Sequence, residues 1–233
     1  QVLKQGKDIG LKGDKVDQIQ LQLTSKSYGK DLSTLFNEAT FLREKGDVAH
    51  ALSILKNNFK EFSDDAKFLS FLARYYLLDG DVEQSSIYLN DAKKIDMSVP
   101  SIGWNEARLH LKKQQVPDAI RVARLTLDKY PDDVEGMVVL GSCLIANNNL
   151  SDAIPYLDRA ILLDSTYSEA FVARGTANLK QNHVMNALSD FEFAYNLKPH
   201  LKHIHNTIID LKIQLGHFSE TIVMLKKLLE HDP

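Results

Sequence analysis

The chain has 233 residues, 44% of them apolar and 25% charged, with a formal net charge of -3. That is the composition of a soluble globular chain, and it lacks the basic excess on which nucleic-acid binding draws. The longest apolar runs, VVLGSCLIA among them, fall far short of a membrane span, and Cys143 as the sole cysteine excludes an internal disulfide or a cysteine-built metal cluster.

The sequence opens on QVLKQGKDIGLKGD, without an initiator Met or a signal peptide, and stops at LLEHDP. Both ends read as cuts in a longer or matured protein, and neither cytoplasm nor periplasm is favoured as the compartment. Gly6, Gly10 and Gly13 lack the strand-turn-helix setting of a phosphate loop. Within residues 1–31, LKGDKVDQIQLQL matches REKGDVAHALSIL at an offset of 33. This segment reads as a degenerate N-terminal half-repeat or cap, although QIQLQL also alternates like a strand.

From Leu32 onward the chain repeats itself every 34 residues, through six copies without insertion or deletion. The copies are 32–65, 66–99, 100–133, 134–167, 168–201 and 202–233. With Leu32 as position 1, position 17 is apolar in every copy: Val48, Val82, Val116, Leu150, Val184 and Phe218. Position 20 is small: Ala51, Ser85, Ala119, Ala153, Ala187 and Thr221. Position 8 is small in five copies (Ala39, Ala73, Ala107, Gly141, Gly175) and is Ile209 in the last. Positions 4, 7, 8 and 11 follow the period of one helix face, and positions 17, 20, 21, 24, 27 and 28 that of another. Gly or Asn dominates position 15, where a left-handed residue ends the first helix. Pro131, Pro199 and Pro233 at position 32 break the chain between copies. Each copy is therefore helix, tight turn, helix. One pair alone cannot bury its apolar face, but stacked pairs can.

The period, the small residues at positions 8 and 20, the large apolar residue at 24 and the proline at 32 resemble the tetratricopeptide repeat. The best copy holds Gly175, Ala187, Phe191, Ala194 and Pro199. The resemblance implies an all-α, right-handed solenoid of stacked helix-turn-helix repeats. It also implies a non-catalytic scaffold that grips a protein or peptide segment in a concave groove lined by the first helices. No cofactor, metal or catalytic set is expected.

Transferred onto this sequence, the family's groove positions select Lys67, Arg74, Trp104, Asn105, Arg108, Lys112, Ser142 and Thr176 as candidate partner-binding residues. Arg and Trp commonly anchor interfaces, so an acidic or aromatic segment suits this set. Trp104 has a second reading. Position 4, where the family prefers an aromatic, is Gly103 in this copy, so Trp104 can instead pack between helices. Neither the family's carboxylate clamp nor its asparagine ladder is met; the ladder would have only the rungs Asn37 and Asn105.

Glu38, Glu106 and Arg174 occupy position 7, where an apolar residue is usual. They are expected to lie at the edge of the array or to pair locally, in preference to forming a buried ion pair that fixes register. His200, His203 and His205 lack a carboxylate or cysteine partner and read as solvated helix-start residues rather than metal ligands. Cys143 reads as a buried, inert thiol. Two alternatives stay open: a substrate-recognition arm fused to a glycosyl-, sulfo- or methyltransferase domain, and a self-assembling or secretion-complex scaffold. The second rests on Ile222, Leu225, Leu228 and Leu229, which face the place of a next helix and have no polar cap after them.

Overall fold

A computed structural model describes residues 31–199 and 202–231, with side chains for 31–199 and 204–226. The half-repeat expected over residues 1–31 lies, but for Asp31, outside the described residues, as do His200, Pro233 and the side chains of His203, Leu228 and Leu229. Among the described residues there are 13 helices and no strand. They are α1 (Leu32–Glu44), α2 (Val48–Asn57), α3 (Phe59–Phe62), α4 (Ala66–Asp79), α5 (Val82–Ile95), α6 (Pro100–Lys112) and α7 (Val116–Lys129). There follow α8 (Val134–Ala146), α9 (Leu150–Leu163), α10 (Ser168–Lys180), α11 (Val184–Leu197), α12 (Lys202–Gln214) and α13 (Phe218–His231).

The helix starts keep the 34-residue step of the sequence in both series, from Leu32 to Lys202 and from Val48 to Phe218. The cause is the residue at position 15. Gly46, Gly80, Gln114, Asn148, Asn182 and Gly216 all have positive φ, from 61° to 96°. In each copy the next residue donates its backbone N–H to the carbonyl five residues back, for example Asp47 to Leu42 and His183 to Asn178, at 2.8–2.9 Å. This is the six-to-one bond that closes a helix through a left-handed residue. At Gln114 the conformation carries a Cβ penalty of about 1 kcal/mol that the glycine copies avoid.

The chain divides into two compact units, Gln1–Asp96 and Met97–Pro233. In the N-terminal unit, four aspartates cap four helices. Asp31, Asp47, Asp65 and Asp81 each accept from the backbone N–H three residues on, at 2.7–3.0 Å. The extra helix α3 contributes Phe59 and Phe62, whose rings contact Phe68; Phe59 also meets Tyr88 edge-on.

In the C-terminal unit α6 packs on α7, and α8, α10 and α12 each pack on their own second helix and on the second helix of the preceding pair. The contact within a pair is close because position 8 is small. A Cβ on Gly141 would stand 2.7 Å from Leu157, and one on Gly175 would stand 3.0 Å from Phe191.

Trp104 resolves to the packing reading: it is 1% exposed, inside the core built from α6 to α10. Position 4 cannot hold a ring here, because a Cβ on Gly103 would already stand 2.2 Å from Thr126 Oγ1 on α7. The indole fills the gap one residue along and presses on α8. A Cβ on Gly136 would meet the indole at 2.3 Å.

Arg174 departs from the edge-or-local-pair reading. Its guanidinium reaches Asp190 at 2.6 Å and Asp158 at 2.7 Å, and Asn178 Nδ2 donates to the same Asp190 at 3.0 Å. Asp190's side chain is only 6% exposed. The hydrogen bond to Asp190, and then that to Asp158, raise the Arg174 pKa against the opposing effect of burial. A carboxylate buried this deeply is tolerated because both oxygens are satisfied. The ion pair joins α9, α10 and α11.

Two outcomes follow from this packing. Gly136→Ala gains helix propensity but overpacks Trp104, and urea unfolding should show a net loss of about 1–3 kcal/mol. At the ion pair, Arg174→Leu strands Asp190 and should cost about 2–4 kcal/mol. Adding Asp190→Val, which makes the site apolar as in the neighbouring copies, should bring the double variant back above either single one. A double variant that is the least stable of the set would show that the pair is not coupled in this way.

Candidate partner-binding face

The eight residues selected from the sequence fall in both units, two in the first and six in the second. In the N-terminal unit, Lys67 is exposed and Arg74 partly exposed, both on α4. Phe71 lies between them at helical spacing, so the three share a face of α4. Phe36 of α1 stacks on Phe71 with ring centroids 4.0 Å apart and 22° between planes. Both phenylalanines are half-buried, and each therefore keeps part of its ring open to solvent. A signal for them exists in the sequence: they stand at positions 5 and 6, which the resemblance assigns to the groove.

In the C-terminal unit, Asn105 and Arg108 do come together. Arg108 Nη1 donates to Asn105 Oδ1 at 3.0 Å, and Arg108 Nη2 donates to Glu135 Oε1 at 2.8 Å. Asn105 is buried, so it acts by holding the guanidinium. Glu135 is the residue that weakens the basic reading, since it neutralises Arg108 across α6 and α8. Lys112 is exposed at the end of α6. The hydroxyls of Ser142 and Thr176 donate to the carbonyls of Val138 and Val172, at 2.8 and 2.7 Å. They are satisfied within their own helices, which leaves only their acceptor lone pairs for a partner.

Cys143 is buried, and desolvation pushes its thiol up to about 12, with Arg108 opposing weakly. It is a packing residue. His205 overturns the expectation of solvated histidines: it is 8% exposed, packed at 4.5 Å against the Tyr195 ring, with a pKa lowered by burial. Among the described residues no three metal-ligating side chains converge, and no helix is long and apolar enough to cross a membrane.

At the last pair, Lys212 bonds Glu192 and Glu220, each at 2.6 Å. Burial pulls the ammonium down, but the two carboxylates together outweigh it, so its pKa is raised; the same bond lowers that of Glu220. Beside this bridge opens a cavity of about 790 Å³ between α11, α12 and α13.

The tetratricopeptide repeat family matches residues 105–168. No curated protein matches the chain by sequence. Solved structures with the same fold include TTC0263, a thermophilic tetratricopeptide-repeat protein of Thermus thermophilus, at 16% identity and a TM-score of 0.64, over 82% of this chain and 98% of that one. They also include the hetero-tetramer Cut9–Hcn1, at 12% identity and a TM-score of 0.68, over 88% of this chain and 43% of that one. Yeast Tom70 matches at 16% identity and a TM-score of 0.61, over 83% of this chain and 42% of that one. At such identities the likeness concerns the fold. Together with the six left-handed turns at constant spacing and the sequence match over residues 105–168, it gives the chain the architecture of a tetratricopeptide-repeat array.

Proposed function

We propose that the chain is a non-catalytic scaffold that grips a protein or peptide segment, and that an aromatic, acidic segment suits it best. The carrying observation is the half-open Phe36–Phe71 stack, flanked on the same face of α4 by Lys67 and Arg74. Stacked rings offer a flat apolar platform at low entropic cost, and the flanking cations favour carboxylates beside it. In the C-terminal unit the clamped Arg108–Glu135 pair offers a pre-ordered guanidinium edge rather than a free cation. A chain of the Cut9–Hcn1 hetero-tetramer shares the fold, in keeping with a role in holding other chains.

A second reading, self-association, is favoured by α13. Its Phe218 and Leu225 are 60% and 41% exposed, with Ile222 and Val223 open beside them. The residues equivalent to Leu225 in the other five copies are all buried, from Leu55 to Phe191. A second copy of the chain laid on this face would cover an apolar surface that a lone monomer leaves wet.

Each reading has its own test. Short synthetic peptides with an aromatic flanked by Asp and Glu should bind, more weakly as salt rises, and better than peptides with Lys in place of the acids. Lys67→Glu/Arg74→Glu should lower that affinity on the order of tenfold or more, with the circular dichroism spectrum unchanged. Undiminished binding would move the site elsewhere. For self-association, sedimentation equilibrium should show a concentration-dependent dimer that Ile222→Glu abolishes. A monomer at all concentrations would rule that reading out.

A further inference from the structure

The Arg174 ion pair stands in a second, smaller cavity, which opens where α9, α10 and α11 meet. Its volume of about 320 Å³ lies at the lower end for ligand pockets and suits a single side chain. Part of its polarity is peculiar to this copy. Position 23 is Asp190 here, against Ile54, Tyr88, Val122, Tyr156 and Met224 in the others. A buried ion pair adds little stability over an apolar seam, so packing alone does not call for this aspartate.

The cavity also presents acceptors that the ion pair leaves unused. Asp190 can only accept, so the Asn178 amide turns its nitrogen to it, at 3.0 Å, and its carbonyl oxygen the other way. Asn178 is 7% exposed and lines the cavity. Its oxygen accepts from no described residue and is not sealed from solvent. Asp158 gives Oδ1 to Arg174 at 2.7 Å; its Oδ2 accepts from no described residue, and the side chain is 52% exposed. Ser189, exposed on α11, adds a hydroxyl to the lining. Arg174, by contrast, already places Nε, Nη1 and Nη2 on the two aspartates.

Charge narrows the choice of ligand. Asp158 and Asp190 outnumber Arg174, so an anion is repelled and a cation is favoured. Among the described residues no third carboxylate, histidine or cysteine joins the two aspartates, so a metal ion would lack a ligand set. A guanidinium offers five N–H donors in one plane to separate acceptors, and it is more weakly hydrated than an ammonium. We propose that this cavity binds a guanidinium, with its N–H groups on Asn178 Oδ1 and Asp158 Oδ2. The group belongs either to a free guanidine compound or to an arginine side chain of another protein. The site uses none of the residues of the Phe36–Phe71 face, so either can fail without the other.

The test uses acetyl-arginine-amide and its citrulline and lysine counterparts, with the Asn178 side-chain amide followed by NMR. The arginine compound should shift that amide saturably and bind on the order of tenfold tighter than neutral citrulline, which has nearly the same shape. The lysine compound should bind more weakly than arginine. Asp158→Asn removes one charge but keeps an acceptor for Arg174, and it should lower arginine affinity on the order of tenfold with the circular dichroism spectrum unchanged. Ser189→Trp, placed at an exposed residue of the lining, should block the site and serves if the first variant does not fold. The source is separated with methylguanidinium and acetyl-Gly-Gly-Arg-Gly-Gly-amide. Tighter binding of the peptide assigns the site to a protein side chain, and binding of methylguanidinium alone assigns it to a free compound. Equal affinity for arginine and either counterpart, undiminished binding by Asp158→Asn, or no saturable shift at Asn178 overturns the proposal.

Discussion

The distance at which the two helices of a pair can cross governs the rest of this chain. It is set by the side chain at position 8 of the first helix, which faces position 24 of the second. Where position 8 is glycine, the opposing Leu157 or Phe191 fills the space that a Cβ would need. Where it is alanine, as at Ala39, Ala73 and Ala107, the methyl is fully buried. The left-handed residue at position 15 then reverses the chain within reach of that crossing. Neither device works alone. A tight turn with bulky helix faces would splay the pair, and small faces without the turn would not meet in register.

The charged contacts depend on the same geometry. Arg174 sits at position 7 and Lys212 at position 11, yet they do the same thing. Each reaches back to the carboxylate at position 25 of the preceding pair, Asp158 or Glu192, and each also bonds an acid on its own second helix, Asp190 or Glu220. One cation thus ties three helices. Such a bridge adds little net stability over an apolar seam, because desolvation consumes most of the Coulomb gain. What it adds is direction: two carboxylates fix where the first helix lies along its neighbours, and an apolar side chain would not.

The architecture is legible in the sequence because repetition multiplies a weak local signal. A glycine after a helix says little in one place; glycine, glutamine or asparagine at one interval through six copies leaves a single reading. The candidate site is less legible, because surface positions are not averaged in this way. Arg108 reads as a candidate interface anchor in the sequence, whereas in space Glu135, 27 residues on, stands beside it. Trp104 reads equally as an interface anchor, and its burial follows from a contact with Gly136 that only the packed helices create. Phe36 and Phe71 are hidden for the opposite reason: aromatics at helical spacing usually belong to the core, and these two are only half in it.

The last pair shows what happens when the crossing rule is relaxed. Its position 8 is Ile209, not Ala or Gly, a larger side chain than any other copy carries there. Leu225, at position 24, is open to solvent although its equivalents are buried in every other copy. Its position 4 is His205, smaller and more polar than the Phe171 that fills the same place one copy earlier. In this same copy the cavity opens between α11, α12 and α13. The exposed apolar face of α13 and the pocket thus both belong to the copy that departs from a small residue at position 8. In a solenoid whose copies otherwise obey one rule, function has most room where a copy breaks it.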